Sequence, residues 1–252
     1  MFERTKFVHN SFSVVFPRQQ QIRRLANEFE DRLKGKYFQP QIISVPDDLD
    51  PEVPRMIFGS EHGFSQIVVS QVSIAINVAY SPDWQLEISK GQNYLLEQVP
   101  LLFELLDVLD GVKPYFCGLN TQVNIPSTAE DETIIRQLSK VFLKDQVLEA
   151  VHDIQLKTTT IVSEQFFNNI TLQNYRVWRT NGSQQGVPRF SLRDVLERGV
   201  QITGDFNDRY AFNEREGYTS NQEVAAQVIE NGLAEVRSVI ERLRGKFRDT
   251  RD

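Results

Sequence analysis

The fold is decided by residues 55–80, which read RMIFGSEHGFSQIVVSQVSIAINVAY. Between Val72 and Val78 every second residue is apolar, and the residues between them are small or polar. A period of two with a single apolar face is typical of an antiparallel strand that is covered on one side only. Polar turns at 61–63 (Glu-His-Gly) and 70–71 (Ser-Gln) divide the stretch, so the sequence predicts a meander of short strands.

Four main helices are predicted from apolar residues that recur every three or four positions. They cover residues 22–33 with Gly35 just past the end, residues 89–109, residues 130–144, and a long segment that begins at Ser220. Pro100 removes one backbone donor from the second helix and predicts a kink or a later start. Ser220 and Glu223 have the spacing of a capping box, in which each side chain binds an amide of the first turn.

The second half of the chain repeats the pattern of the first. Residues 154–162 alternate as 72–78 do, Asn168-Asn169 is predicted to form a turn, and strands are predicted over 170–178 and 201–212. The order strand, helix, strands, helix therefore occurs twice, over 1–112 and 113–252. An internal duplication explains this order, and so does a coincidence of common β and α patterns.

The predicted fold class is α+β, with antiparallel meander sheet and helices on one face. If the chain is duplicated, the two sheets pair edge to edge about a pseudo-twofold axis and form one continuous domain with a concave, uncovered face. The alternative is two separate lobes with a hinge near residues 111–114. In the first arrangement the uncovered face is the expected place for a ligand or partner.

Composition places the chain among soluble globular proteins. Its 252 residues carry a net charge of −6, which argues against a broad surface for nucleic acid or anionic membrane. A single Cys excludes a disulfide framework and indicates a reducing compartment. No apolar run is long enough to cross a bilayer, and the first residues, MFERTKF, lack the apolar block of a signal peptide. We therefore expect a cytoplasmic protein with no membrane partner.

Sequence motifs of common enzymes are absent. The sequence contains no phosphate-binding glycine loop with its Lys and hydroxyl residue, no zinc-protease pair of histidines, and no GxSxG elbow. Its three histidines lie far apart. We therefore expect a non-enzymatic protein, and we predict neither a cofactor nor a metal site.

The main candidate ligand-binding residues are Arg176, Trp178 and Arg179, with Arg189 and Arg193 further along the chain. An exposed Trp between guanidinium groups could stack on a base or clamp a carboxylate or phosphate. The alternative interpretation is a core Trp with arginine stems that cover the sheet edge.

Two further candidates are single polar residues. His62 stands beside Glu61 at a predicted hairpin tip and could act in an acid/base pair, or it could belong to an ordinary polar turn. Asp205 and Asn207 share one strand face, with Asp208 adjacent. Two acids and an amide could bind a divalent cation or another ligand, or they could form a polar outer surface; the spacing of a calcium loop is missing.

The end of the last helix is basic, with Arg242, Arg244 and Arg248. These residues could contact phosphates of a nucleic acid, although complementarity to the helix dipole also explains them. Nucleic acid is therefore an alternative partner and not the expected one.

Several short strings together resemble a known family. They are FGSEHGF at 58–64, NVAY at 77–80, Asp83-Trp84, CGLN at 117–120 and GDFN at 204–207. The chain resembles a sporadically distributed bacterial family of uncharacterised proteins of about this length. In that family the strand that opens with Gly-Leu usually continues with Arg-Tyr, where this chain has Asn120-Thr121. The resemblance implies a cytoplasmic bacterial α+β protein and implies no activity.

The sequence favours a non-enzymatic binding or protein-interaction module, with a protein partner or a second copy bound to the concave sheet face or the long last helix. One alternative is an enzyme or binder for a small anionic or nucleotide-like ligand, held by Arg176 and Arg179 with His62 or Asp205 as acid/base. Another is a nucleic-acid-associated protein.

Overall fold

The computed structural model describes residues 2–142, 151–179 and 190–249, with the side chains of 141, 142, 248 and 249 excepted. Its strands are β1 (Lys6–Val15), β2 (Gln41–Ile42), β3 (Met56–Gly59), β4 (Ser65–Val69), β5 (Ser73–Ala79), β6 (Phe116–Pro126), β7 (Gln155–Val162), β8 (Phe166–Trp178) and β9 (Val195–Asn207). Its α-helices are α1 (Ala26–Leu33), α2 (Ile88–Leu106), α3 (Asp131–Phe142), α4 (Arg209–Glu214) and α5 (Gln222–Asp249).

All nine strands form one antiparallel sheet in the order β2-β3-β4-β5-β1-β6-β9-β8-β7. The α+β prediction is confirmed. The first strands of the two predicted halves, β1 and β6, pair at the centre, where Phe12 lies opposite Leu119. The last strand of each half, β5 or β9, lies on the outer side of its own first strand. The sheet therefore runs without a break across the boundary predicted near residue 112, and the duplication itself stays a prediction.

Alternation within the strands gives the sheet a buried face and a partly exposed face. In β5, Ile74, Ile76 and Val78 are fully buried, as predicted, while Ser73 and Asn77 point the other way and are half-buried. The helices α1, α2, α3 and α5 contribute their apolar stripes to the core on the buried face. We call the opposite side of the sheet the open face.

The long helix α5 lies against the centre of the buried face, on β6 and β9. Two glycines allow this close approach. A Cβ on Gly232 of α5 would lie 2.9 Å from Phe206 Cβ, and a Cβ on Gly204 of β9 would lie 2.5 Å from Val236 Cγ2. Real side chains do not tolerate such distances, so at each contact the bare backbone of one element packs against a side chain of the other.

Three predicted helix features differ in the structure. Residues 22–25 form a 3₁₀ turn that leads into α1, and Gly35 has the predicted positive φ of 79°. Helix α2 begins at Ile88, so Pro100 lies inside it. The predicted capping box is wrong: Asn221 Oδ1 accepts from the Val224 amide at 2.9 Å, whereas the buried Ser220 hydroxyl donates to Cys117 Sγ at 3.2 Å.

Two predicted strand boundaries are also wrong. Asn168 and Asn169 lie within β8, and the chain reverses earlier at Ser163-Glu164, whose φ values of 52° and 48° fit a type I′ turn. The strand predicted over 201–212 ends at Asn207, and α4 follows it. Helix α4 packs at one end of the open face, where Phe212 contacts Phe116 and Tyr210 contacts Phe167.

Within the described ranges, no helix is both long enough and apolar enough to cross a membrane.

Candidate binding surface

The open face is crossed by four rows of side chains, each row set by directly paired strand positions. The first row is Ile57, Val68, Ala75, Ser13, Gly118, Asn207, Phe167 and Ile161, and the second row is Gly59, Gln66, Asn77, Ser11, Asn120, Asp205, Asn169 and Thr159. The third row is Ala79, His9, Gln122, Thr203, Thr171 and Lys157, and the fourth is Lys6, Asn124, Gln201, Gln173 and Gln155.

Charge is depleted on this surface. In the four rows Asp205 is the only carboxylate, and Lys6 and Lys157 are the only lysines or arginines. These are three charged residues in 27 positions, whereas 25% of the whole chain is charged. Amides and hydroxyls occupy most of the other polar positions. Depletion of charge is the compositional feature that distinguishes the core of a protein interface from the remaining surface.

Amides of the first and second rows are held in place around Asp205. Asn169 donates to Asp205 Oδ2 at 3.1 Å, and Asn207 donates to Asp205 Oδ1 at 2.8 Å. The Thr159 hydroxyl donates to Asn169 Oδ1 at 2.7 Å. Asp205 is therefore hydrogen-bonded by neutral donors rather than paired with a cation, and its partners lose rotamer freedom before any ligand arrives.

The fourth row forms a second chain of amides. Gln173 donates to Gln201 at 2.7 Å, and Gln201 donates to Asn124 at 3.0 Å. Lys6, at the end of this row, contacts Glu197 at 2.5 Å. The Tyr175 hydroxyl donates to the same carboxylate at 2.7 Å. Burial alone would raise the pKa of Glu197, but the bonds from Lys6 and Tyr175 hold it below its usual value. Glu197 is thus an ion-paired anion at the end of the open face.

His9 lies in the third row between Ala79 and Gln122, toward the opposite end of the row from Lys157. Burial lowers its pKa below the ordinary value of 6.5. The imidazole is therefore neutral at pH 7, and this part of the surface carries no positive charge.

Arg176, the main predicted ligand-binding residue, lies on the buried face in ion pairs. Its side chain is 4% exposed, with Nε 3.0 Å from Asp131 and Nη1 2.7 Å from Asp153. Nη2 donates to the carbonyl of His152 at 2.7 Å. Arg198, opposite it on β9, contacts Glu130. The Arg176 guanidinium group ties α3 to the sheet through its ion pair with Asp131.

The other predicted ligand-binding residues near Arg176 are more exposed than its guanidinium group. Trp178 is partly buried, with its ring centroid 5.3 Å from that of Phe190, and Arg179 is exposed. Arg193 is exposed on a 3₁₀ turn, and Arg189 lies outside the described residues.

His62 and Asp205 lie in two further places. His62 is exposed at the predicted hairpin tip, where Gly63 has a φ of 73°, and its ring stacks on Phe64 at 6.3 Å. Asp205 pairs with Asn169, seven residues before Arg176 on β8, which corresponds to about 23 Å along the strand. The structure therefore does not bring His62, Asp205 and Arg176 together into one site. No group of three or more metal-ligating side chains occurs in the described part of the chain.

A buried cluster around Asp208 was missed at the sequence level. Asp208 is fully buried and accepts from the Cys117 amide at 2.5 Å and from the Tyr218 hydroxyl at 2.7 Å. Burial raises the pKa of Asp208, and burial with the nearby Asp208 charge raises the pKa of the Cys117 thiol, which is therefore not a nucleophile. Asp208 directly follows an alternating strand, and this position alone does not distinguish it from a surface residue.

The basic residues at the end of α5, which were predicted as alternative nucleic-acid contacts, lie in different surroundings. Arg242 is exposed and donates to the Ser238 carbonyl within its own helix, whereas Arg244 bonds the N-terminal segment through Glu3 and Thr5. The side chain of Arg248 is outside the described residues.

No protein-family model matches the chain, and no curated protein matches its sequence. The resemblance to the bacterial family therefore stays a prediction.

Proposed function

We propose that the chain is a non-enzymatic protein-interaction module whose open face packs against the open face of a second copy. The observation that carries this proposal is the depletion of charge across the four rows. An ordinary solvated sheet face carries Lys and Glu, which keep neighbouring molecules apart. This surface has replaced them with amides and hydroxyls.

A second copy is the occupant that this chemistry fits. A twofold interface brings the same patch of both subunits together, so the patch must complement itself. Each Asn or Gln carries both donors and an acceptor, and can therefore pair with an identical residue, whereas a surface of one charge cannot.

The size of the surface supports a protein as the occupant. Strands lie about 4.8 Å apart, and positions on one face of a strand repeat about every 6.8 Å, so the 27 positions of the four rows cover about 880 Å². A standard protein interface buries about 800 Å² on each partner.

Sedimentation velocity of the wild type and of Asn77→Lys tests the proposal. Asn77 lies in the second row with no acidic neighbour in the paired positions of Gln66 and Ser11. We expect a wild-type dimer at about 10 µM, and at least a tenfold weaker dimer for Asn77→Lys, because an unpaired charge buried in the interface costs more than about 1.4 kcal/mol. Asn77→Glu should have the same effect.

Asn231→Lys is the matched control, since Asn231 is exposed on α5. It should dimerise like the wild type. A wild type that stays monomeric up to about 200 µM would refute the proposal, as would an equal loss of dimer in both Lys variants.

A further inference from the structure

Three arginines converge on a cavity away from the open face. The cavity has a volume of about 320 Å³ and lies between the N-terminal segment, the start of α2 and α5. Arg4, Arg237 and Arg244 line it, together with the single acidic residue Glu241. Arg237 and Arg244 are seven residues apart on α5, so two helical turns place them on the same side of the helix.

In each of the two α5 arginines, one nitrogen donates the hydrogen bonds that orient the side chain, and the Nε atom has no hydrogen-bond partner. Arg237 Nη2 donates to Gln92 Oε1 at 3.0 Å, and Arg244 Nη2 donates to the Glu3 carbonyl at 2.9 Å and to Thr5 Oγ1 at 2.8 Å. The Nε atoms of both arginines are buried and have no hydrogen-bond partner. Buried donors without an acceptor are rare in native proteins, and a bound water or anion is one way to satisfy them.

These guanidinium groups are also not neutralised. Within the described residues, no carboxylate oxygen lies within 4.0 Å of Arg4, Arg237 or Arg244. Arg176 and Arg198, by contrast, are both ion-paired with carboxylates. Three positive groups and Glu241 leave a local charge of about +2, which matches the charge of about −2 on a phosphate monoester better than the −1 of a carboxylate.

The remaining walls are apolar: Phe7, Leu86, Ile88 and Ile240. We propose that this cavity binds a small phosphate monoester, with the phosphate between Arg237 and Arg244 and a compact apolar group against these walls. Guanidinium groups suit this task because their planar donors match phosphate oxygens in pairs. The site is independent of the proposed dimer face, from which it differs in every residue.

Titration calorimetry with phenyl phosphate tests the assignment, and benzoate serves as the carboxylate of similar shape. We expect saturable binding of phenyl phosphate, at least tenfold tighter than benzoate, and at least a tenfold loss of affinity in Arg237→Gln and in Arg244→Gln. Arg242→Gln is the matched control, because it removes the same charge from the same helix at an exposed position outside the cavity. It should bind within about twofold of the wild type.

Arg4→Gln guards against a folding artefact, since Arg4 is exposed and its replacement cannot open the core. It should weaken phenyl phosphate about threefold or more, with unchanged thermal unfolding. Absence of binding at about 10 mM, equal affinity for benzoate, or an equal loss in Arg242→Gln would each overturn the site. None of these results bears on dimerisation.

Discussion

Replacing Gly232 by alanine should destabilise the protein, although alanine is the better helix former. In an open helix position the exchange gains about 1 kcal/mol. At Gly232, however, the new methyl would lie 2.9 Å from Phe206 Cβ and 3.2 Å from Leu119 Cδ2. Phe206 Cβ is fixed to the sheet backbone, so α5 must move away, and overpacking of this kind costs about 1–3 kcal/mol. We expect a net loss of up to about 2 kcal/mol.

Gly245 provides the internal comparison, because it lies on the same helix with no atom within 4 Å of a new Cβ. Gly245→Ala should gain up to about 1 kcal/mol, reduced by fraying near the helix end. The free energies of unfolding of the wild type and both variants, measured by urea denaturation, should therefore change in opposite directions. If Gly232→Ala were as stable as Gly245→Ala, the close contact between α5 and β9 would be refuted.

Substitutions at three further residues probe the polar groups described above. Arg176→Ala should lower the free energy of unfolding in urea by about 2–4 kcal/mol, because it leaves Asp131 without its buried partner. The control Arg179→Ala, at an exposed position, should change it by no more than about 0.5 kcal/mol. Equal effects of the two substitutions would contradict the conclusion that Arg176 ties α3 to the sheet. Asp208→Ala should cost about 2–4 kcal/mol through two buried donors left unpaired. Because burial raises the pKa of Asp208, its contribution to stability is present at low pH and decreases as pH rises above 3.8, and Asp208→Asn should remove that slope. His9 has a lowered pKa, so the wild type should lose stability as pH falls below 6.5, and unfolding curves of His9→Gln should lack this loss.

Elements with strong periodicity were predictable from the sequence. The alternation between Val72 and Val78 gives the buried and open faces of β5, because a strand with one apolar face has only one way to lie on a core. The long apolar stripe of α5 and the positive φ of Gly35 were predictable for the same reason: each depends on local chemistry.

Features that depend on distant residues were not predictable. The Ser163-Glu164 turn contains no glycine, so nothing in its sequence marks the left-handed backbone, whereas Asn168-Asn169 carries the usual turn residues but pairs with β9. Ser220 does not cap the helix because its hydroxyl donates to Cys117, which lies 103 residues earlier. The arginine cavity was not predictable either, because Arg4 and Arg237 line the same cavity only where the N-terminal segment lies against α5.

The pairing of β1 with β6 has a consequence for biosynthesis. Ser11 lies opposite Asn120, so one edge of β1 has no partner until more than a hundred further residues have left the ribosome. At about 5–20 residues per second this takes several seconds. Once β5 has been made, its pairing with β1 still leaves the other hydrogen-bonding edge of β1 free until β6 follows. Such an edge is a template for aggregation. Slower translation between β1 and β6 should therefore lower the soluble yield, and a chaperone that covers this edge should restore it.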